Sequence, residues 1–237
     1  MNLEIVLKEL RPKQKEALRT KSNCLLLEGP AGTSKSYTAL ARGLQLLKSD
    51  KVDRIVIVRS PVELRPIGFL PGSADEKLEA YAAPYVGLLS ELSPKKSYKQ
   101  LVSNKVLEFI PTSFLRGMTF HNTYLFVDEF QNMSGHELET VVTRVGQDTH
   151  LVLAGDSAQS DLRGTERLEH IDVINTLRAM PEFHIIEFGY RDIVRSAFVA
   201  AYYKAKNGIT APPQFLQVHT PHPADYRDSP EPYDDTL

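Results

Sequence analysis

The chain has 237 residues, of which 42% are hydrophobic and 24% charged, with one cysteine and a formal net charge of −2. This length suits one domain of ordinary size with appendages, and the lone cysteine excludes a disulfide framework or a cysteine-rich metal site. No apolar run reaches the ~20 residues that a membrane span needs, and the amino terminus lacks a signal-peptide layout, so we expect a cytoplasmic protein without a membrane partner.

Charge is distributed unevenly along the chain. Residues 211–237 hold six of the fifteen prolines and five carboxylates against one arginine, which leaves residues 1–210 with a net charge of +2. Acidic, proline-rich sequence buries too little apolar area to offset chain entropy, so we predict an extended or disordered tail after a single domain over 1–210. The tail fits a solubilising role, and it also fits an acidic competitor for the protein's own basic groove. The mildly basic domain leaves a nucleic-acid partner open.

Short apolar runs alternate with amphipathic stretches through most of the domain. The runs predict strands buried on both faces over 24–28, 54–58, 124–127, 151–154 and 184–188. Apolar residues at three- and four-residue spacing predict helices over 36–47, 76–92, 134–145, 171–180 and 192–206. Ser134 and Glu137 are spaced as a capping box, and Asn207-Gly208 supplies a stop for the last helix. This alternation predicts an α/β domain with a mostly parallel central sheet and a ligand site at the carboxyl ends of its strands.

A glycine-rich loop follows the first predicted strand and leads into a helix, with the sequence Gly29-Pro-Ala-Gly32-Thr-Ser34-Lys35-Ser36. Backbone amides at a helix start, a lysine and a hydroxyl are the groups that hold phosphates and their magnesium ion. We therefore predict a nucleotide phosphate site in which Lys35 reaches the outer phosphates and Ser36 binds Mg²⁺. The predicted nucleotide-binding residues of this segment are Gly29, Pro30, Ala31, Gly32, Thr33, Ser34, Lys35, Ser36 and Tyr37.

Ser34 departs from the usual phosphate-loop pattern, which has glycine before the lysine. Its side chain must fit where backbone normally approaches phosphate closely, so we expect weakened or slower turnover and not a lost site. Considered alone, the loop is also consistent with a capped helix after an ordinary glycine turn.

Two other predicted strands end in acidic residues that would lie near this loop. Asp128 and Glu129 follow the strand at 124–127, and Asp156 and Gln159 follow the strand at 151–154. We predict that Asp128 holds magnesium through its water shell, while Glu129 orients and deprotonates the attacking water. Gln159 is equally consistent with sensing the γ-phosphate and with being a solvated loop amide.

Seven short blocks of the chain occur in a characteristic order: 29–36, 59–62, 68–72, 116–119, 128–132, 155–159 and 192–195. Together they resemble the PhoH-like family, whose members have a P-loop ATPase core related to the superfamily 1 helicases. The resemblance runs from about Leu10 to Lys206, and the small isolated core looks like the versions carried by bacteriophages, which would place it in the host cytoplasm. Besides Ser34, Phe130 departs from the family pattern, which usually has alanine there, and we expect this change to affect packing.

The resemblance implies a RecA-like three-layer sandwich that hydrolyses ATP with Mg²⁺, with RNA or single-stranded DNA as partner and helicase-like activity. In larger relatives a nuclease belongs to a separate domain, and we expect none here. The segment 10–14 looks like the adenine-reading segment of helicases, with Gln14 bidentate to the base edge. An ordinary polar amino-terminal helix is the alternative.

Superfamily 1 helicases complete their ATP site with arginines from a second lobe. We expect this chain to have a single lobe. A neighbouring subunit could supply the arginine through a head-to-tail interface that closes into a ring, so we expect a homo-oligomer, and by resemblance a hexamer. Arg191 and Arg195 are the candidates by resemblance, with a pair of surface arginines as the alternative for Arg191. Hydrolysis without such an arginine also stays open.

The sequence signal for nucleic acid is weaker. Lysines cluster around Tyr98 at Lys95, Lys96, Lys99 and Lys105, and Arg59, Arg65 and Arg116 lie in loops after predicted strands. Basic residues around an aromatic ring suit strand binding, although such runs are usually solvated faces. A nucleotide switch with little turnover is the alternative function, and a kinase of a small metabolite is disfavoured because the acidic block suits water activation.

Overall fold

The computed structural model of the chain describes residues 3–60, 74–206 and 208. The predicted tail over 211–237, Arg65, Asn207 and the family-like residues at 61–62 and 68–72 lie outside the described residues.

The described strands form a single parallel sheet. They are β1 Cys24–Glu28, β2 Arg54–Arg59, β3 Leu107–Pro111, β4 Thr123–Asp128, β5 His150–Gly155 and β6 Phe183–Glu187. Their order across the sheet is β3-β2-β4-β5-β1-β6, with every neighbouring pair parallel. All six carboxyl ends therefore meet at one edge, which confirms the predicted α/β class with its parallel sheet.

Seven helices are described along the chain. They are α1 Pro12–Arg19, α2 Lys35–Lys48, α3 Ala74–Leu92, α4 Tyr98–Ser103, α5 Gly135–Val142, α6 Gly164–Ala179 and α7 Ala197–Lys206. The capping box at α5 is confirmed, because Ser134 Oγ accepts a hydrogen bond from Glu137 N at 3.3 Å. The prediction that the last helix begins at 192 is wrong, since Asp192 Oδ2 accepts from Gly189 N at 2.8 Å and closes a short 3₁₀ turn instead.

Side chains from the two faces of the sheet enter two separate cores. On one face Leu25, Leu27, Ile57 and Phe126 pack under α2, α3 and α4. On the other face Leu26, Val58, Val127 and Leu153 pack against α5 and α6. Alternate residues of one strand serve opposite cores, as a sheet covered on both sides requires. The layers are therefore helix, sheet and helix.

Strand β3 and helix α4 were not predicted from the sequence. Glu108 and Pro111 interrupt the apolar run of β3, which pairs only with β2 at the edge of the described sheet. α4 is short and precedes β3, so it lies toward the amino ends of the strands. The predicted lysine cluster around Tyr98 includes the start of α4.

A buried arginine joins the first two helices. Arg42, on α2, is 4% exposed and donates to the carbonyl oxygens of Ala17, Thr20 and Ser22 at 2.7–3.0 Å. Carbonyl groups at a helix end lack hydrogen-bond partners within the helix. Arg42 donates the missing hydrogen bonds at the end of α1. α1 is thereby fixed against the helix that follows the glycine-rich loop.

The described residues up to Ala200 belong to the compact unit that contains the sheet, and a second unit begins at Ala201. Among the residues that the structure describes, no helix is both long enough and apolar enough to span a membrane.

Candidate nucleotide site

The glycine-rich loop lies between β1 and α2 at the carboxyl edge of the sheet. Gly29 has φ 144°, and a Cβ atom there would lie 2.3 Å from the carbonyl oxygen of Phe188, so only glycine fits. Gly32 has φ 87°, and its carbonyl oxygen accepts a hydrogen bond from Val194 N at 2.9 Å. The segment after β6 therefore holds the outer side of the loop.

Ser34 lies immediately before α2 in the left-handed conformation, with φ 59° and ψ 36°. An L-residue pays about 1–2 kcal/mol for this conformation, and glycine does not. The requirement for glycine at this position is thus a matter of backbone geometry as well as of space for phosphate. Here the loop retains its shape with a strained serine.

The ammonium group of Lys35 lies over the loop. Its Nζ donates to the carbonyl oxygens of Gly29 at 2.6 Å and Pro30 at 3.1 Å. Burial lowers the pKa of Lys35, and the carboxylates of Asp156, Glu129, Asp128 and Glu28 oppose that shift. The lysine is therefore the positive centre of an acidic site.

Asp128 is 6% exposed at the end of β4 and accepts two hydroxyl hydrogen bonds. Ser36 Oγ donates to its Oδ1 at 2.9 Å, and Tyr85, from α3, donates to its Oδ2 at 2.9 Å. Burial and, to a smaller extent, the neighbouring Glu129 raise the pKa of Asp128 to about 6, while Arg59 and the two hydroxyls oppose the shift. The structure thus brings together Ser36 and Asp128, the predicted magnesium residues.

Glu129 is held by a glutamine that the predictions did not include. It adopts the left-handed conformation with φ 53°, and its Oε2 accepts from Gln131 Nε2 at 2.6 Å. Gln131 Oε1 accepts in turn from Asp156 N at 3.0 Å, so this amide joins the ends of β4 and β5. A Cβ on Gly155 would lie 2.3 Å from Gln131 Oε1, which leaves no room for another residue there.

The neighbouring positions have different roles in the geometry. Phe130 is fully buried and stacks on His170 with ring centroids 6.0 Å apart, so its departure from the family pattern is taken up by packing. Asp156 Oδ1 accepts from Ala158 N at 3.1 Å, and Asp156 Oδ2 accepts from the side chain of Gln159. Gln159 is exposed at the same edge, and its sensing of a γ-phosphate stays a prediction.

A cleft of about 800 Å³ extends from the loop toward α1 and α3. It is lined by Lys8, Glu9, Leu10, Gln14, Ala31, Gly32, Ser34, Lys35, Ser36, Tyr37, Leu88, Glu91, Glu129, Val194 and Arg195. Gln14 is 1% exposed, donates through Nε2 to Thr33 O at 2.9 Å and accepts through Oε1 from Arg11 N at 2.9 Å. The volume lies in the range of small-ligand sites.

The two predicted arginines lie in different surroundings. Arg195 lines the cleft of its own chain, and a Cβ on Gly32 would lie 3.3 Å from its Cβ. Arg191 is exposed and lies over the ring of Tyr190, with 5.7 Å from its guanidinium carbon to the centroid. The structure therefore brings Arg195 to the phosphate loop without a neighbouring subunit.

Residues 7–207 match the family described as PhoH-like protein. The chain belongs to the PhoH-like family. The resemblance found in the sequence is thereby confirmed over its whole predicted extent, from about Leu10 to Lys206.

Two curated relatives illustrate the match. This PhoH-like chain is 33% identical over 173 residues to a PhoH-like protein of Mycobacterium bovis, covering 73% of the chain and 49% of the relative. It is 30% identical over 173 residues to a PhoH-like protein of Bacillus subtilis, covering 73% of the chain and 54% of the relative. The chain thus spans about half the length of these relatives.

A solved structure supports the fold of the PhoH-like chain. The large terminase from a thermophilic bacteriophage is similar with a TM-score of 0.50 and 10% sequence identity. The similarity covers 88% of this chain and 52% of the terminase.

The raised pKa of Asp128 predicts how stability depends on pH. Its value in the folded chain, about 6, lies above the ordinary 3.8, so its contribution to stability is present below pH ~4 and lost as the pH rises through 6. Relative to Asp128→Asn, the unaltered chain should lose up to about 3 kcal/mol of unfolding free energy between pH 4 and 7. Urea denaturation without nucleotide or Mg²⁺ measures this difference. Asp172→Asn, at an exposed carboxylate on α6, is the control, and a pH-independent difference for Asp128→Asn would contradict the prediction.

The strained serine yields a second prediction. Ser34→Gly should raise the unfolding free energy by about 0.5–1 kcal/mol, because relief of the left-handed strain exceeds the added chain entropy of glycine. Lys105→Gly, at an exposed residue with φ 56° outside the site, should give a similar gain and serves as the matched control. If urea denaturation shows a gain for Lys105→Gly and none for Ser34→Gly, the serine is not strained as its backbone indicates.

Proposed function

We propose that the chain is a magnesium-dependent ATP hydrolase. The observation that carries this proposal is the 2.9 Å hydrogen bond between Ser36 Oγ and Asp128 Oδ1. Ser36 is the residue after Lys35, and Asp128 is the residue before Glu129. It places a hydroxyl, a carboxylate, a lysine and a second carboxylate at one end of a nucleotide-sized cleft. These are the groups that phosphoryl transfer to water requires.

The residues present fit magnesium. Ser36 and Asp128 offer hydroxyl and carboxylate oxygens, the hard ligands that Mg²⁺ prefers, and Asp128 would act through the ion's water shell. When bound, Mg²⁺ would neutralise charge on the outer phosphates. At pH 7 Asp128 is mostly ionised despite its raised pKa of about 6, so it is ready to serve as such a ligand.

Glu129 is the proposed base. Its carboxylate would orient the attacking water and take its proton, and Gln131 would hold that carboxylate in place through the 2.6 Å hydrogen bond. Lys35 and the loop amides would hold the outer phosphates, while Gln159 would contact the γ-phosphate from the end of β5. Gln131 acts on the reaction only through Glu129, as a positioning residue.

The other end of the cleft would hold the base and ribose. Gln14 uses one N–H for Thr33 O and one lone pair for Arg11 N, which leaves one donor and one acceptor for an adenine edge. Tyr37 borders the same space, and its hydroxyl accepts from Lys8 N at 2.9 Å. In this arrangement Gln14 connects base recognition to the phosphate loop.

Phosphate release tests the hydrolase proposal. With ATP and Mg²⁺, Glu129→Gln should retain nucleotide binding and release phosphate about 10²- to 10⁴-fold more slowly, because the base is lost and the shape is kept. Lys35→Ala should lose binding as well, and Lys48→Ala, at the exposed end of the same helix, is its control. Binding by the unaltered chain without any release would overturn the hydrolase and favour a nucleotide switch.

The partner proposed for this activity is RNA or single-stranded DNA, and the proposed assembly is a ring, hexameric by analogy with the family resemblance. Arg195 would act within its own chain, because it lines the cleft beside Gly32. Arg191 is exposed and is the candidate to reach the site of a neighbouring copy. The chain would thus combine an arginine in cis with one in trans.

Subunit mixing separates the two arginines. Arg191→Ala and Arg195→Ala should each lower the rate of phosphate release by about 10³-fold, since such arginines stabilise transition-state charge. Mixing Arg191→Ala with Lys35→Ala should restore part of the rate, because the second chain donates Arg191 to an intact loop. Mixing Arg195→Ala with Lys35→Ala should restore none of the rate, because no chain would then carry both an intact loop and Arg195. Light scattering with and without ATP gives the size of the assembly. If the unaltered chain is a monomer while it releases phosphate, the ring proposal is overturned.

A further inference from the structure

The turn after β3 exposes an aromatic side chain at the edge of the sheet where the nucleotide cleft lies. Phe114 is 69% exposed and Met118 is 40% exposed, while Leu115 between them is fully buried in the core. Leu115 therefore anchors a short segment that presents its neighbours to solvent. Exposed rings of this kind are platforms on which unpaired bases stack.

Basic side chains lie in and beside the same turn. Arg116 Nη2 lies 3.0 Å from His136 Nε2, and Arg144 Nη1 donates to the carbonyl oxygen of Met118 at 3.3 Å. No carboxylate occurs in the sequence between Glu108 and Asp128. We call Phe114, Arg116, Met118, His136 and Arg144 the β3-turn surface. Its charge and its aromatic ring complement a flexible polyanion with exposed bases.

The lysine cluster that the sequence suggested is a weaker candidate. Tyr98 is half-buried, and its ring makes an edge contact with Phe109 at 5.8 Å between centroids, so it is not presented to a base. Lys95 forms an ion pair with Glu4.

A carboxylate connects the β3-turn surface to the catalytic end of β4. Glu137 Oε1 accepts from Thr112 Oγ1 at 2.5 Å and from Ser60 Oγ at 3.0 Å, which joins the ends of β3 and β2. Glu137 Oε2 accepts from Ser134 N at 2.9 Å. Only the short segment 130–133 separates Ser134 from Glu129. Displacement of the turn by a ligand would therefore be felt at the proposed base.

We infer that the β3-turn surface binds single-stranded nucleic acid, with a base stacked on Phe114 and backbone phosphates beside Arg116 and Arg144, and that Glu137 couples this binding to Glu129. The inference rests on the proposed ATP hydrolysis only for its coupling step. Strand binding itself is independent of turnover. Glu137 is a positioning residue in this scheme, because it touches neither the nucleotide nor the strand.

Fluorescence anisotropy with labelled 20-nucleotide oligo(U) and oligo(dT), without ATP, tests the surface. Phe114→Ala should weaken binding about 5- to 150-fold, the loss of one stacked base. Arg116→Ala should weaken binding and reduce the salt dependence by about one phosphate contact. Leu168→Ala and Arg167→Ala, at exposed positions on α6, are the matched controls and should bind within twofold of the unaltered chain.

The binding result has clear readings. A loss confined to the Phe114 and Arg116 variants supports the surface, and the comparison of the two oligonucleotides shows whether the RNA or the DNA probe is bound more tightly. Equal affinity in all variants, or no binding by the unaltered chain, overturns it. Neither of these outcomes affects the hydrolase proposal, which is judged on phosphate release without any strand.

The ratio of phosphate release with and without oligonucleotide tests the coupling. Thr112→Val removes the hydrogen bond between the turn and Glu137 but retains the capping box of α5, and Glu137→Gln disturbs both. Each should lower this ratio at least fivefold while strand affinity stays within twofold. A purely structural defect would instead change the melting temperature and lower both rates together. An unchanged ratio in a folded, strand-binding Thr112→Val variant overturns the coupling.

Discussion

The hydrogen bond from Ser36 to Asp128 joins the start of α2, which follows β1, to the end of β4, and β5 lies between β1 and β4 in the sheet. A carboxylate buried to this degree is costly unless it is paired and hydrogen-bonded. Ser36 and Tyr85 supply two donors, and Arg59 supplies positive charge. The loop, the helix α3 and the strand ends must all be correctly placed for Asp128 to remain buried. The proposed magnesium site and the local fold therefore depend on the same few contacts.

A second set of contacts extends this arrangement across the carboxyl edge. Gln131 joins Glu129 to the start of the segment after β5, and Glu137 joins the ends of β2 and β3 to α5. Each of these side chains has polar partners on both sides, so neither can shift without breaking a hydrogen bond. The segments that follow β2, β3, β4 and β5 are therefore joined to one another by hydrogen bonds along the carboxyl edge of the sheet.

Much of the fold was predictable because buried parallel strands are apolar along their whole length. The runs at β1, β4 and β5 stand out for this reason, whereas β3 does not, since it is an edge strand that contains Glu108 and Pro111. Lys35, Ser36, Asp128 and Glu129 were predicted as site residues from their positions after strands, and the structure brings them to one edge of the sheet. Tyr85 gave no signal, because a tyrosine within a helical pattern has no marked function until the helix is packed. The left-handed backbone conformation of Ser34 was likewise not predicted, since it is set by the loop around the residue.

The amino-terminal helix has a thermodynamic consequence for the site. Arg42 fixes the end of α1 to α2, and Gln14 on α1 donates to the loop carbonyl of Thr33, so helix, loop and helix form a closed circuit. A ligand that orders the loop must then also favour the docked state of α1, and docking of α1 must favour the ligand by the same free energy. Residues 12–19 would therefore contribute to the affinity of the proposed nucleotide site, although only Gln14 among them borders the cleft.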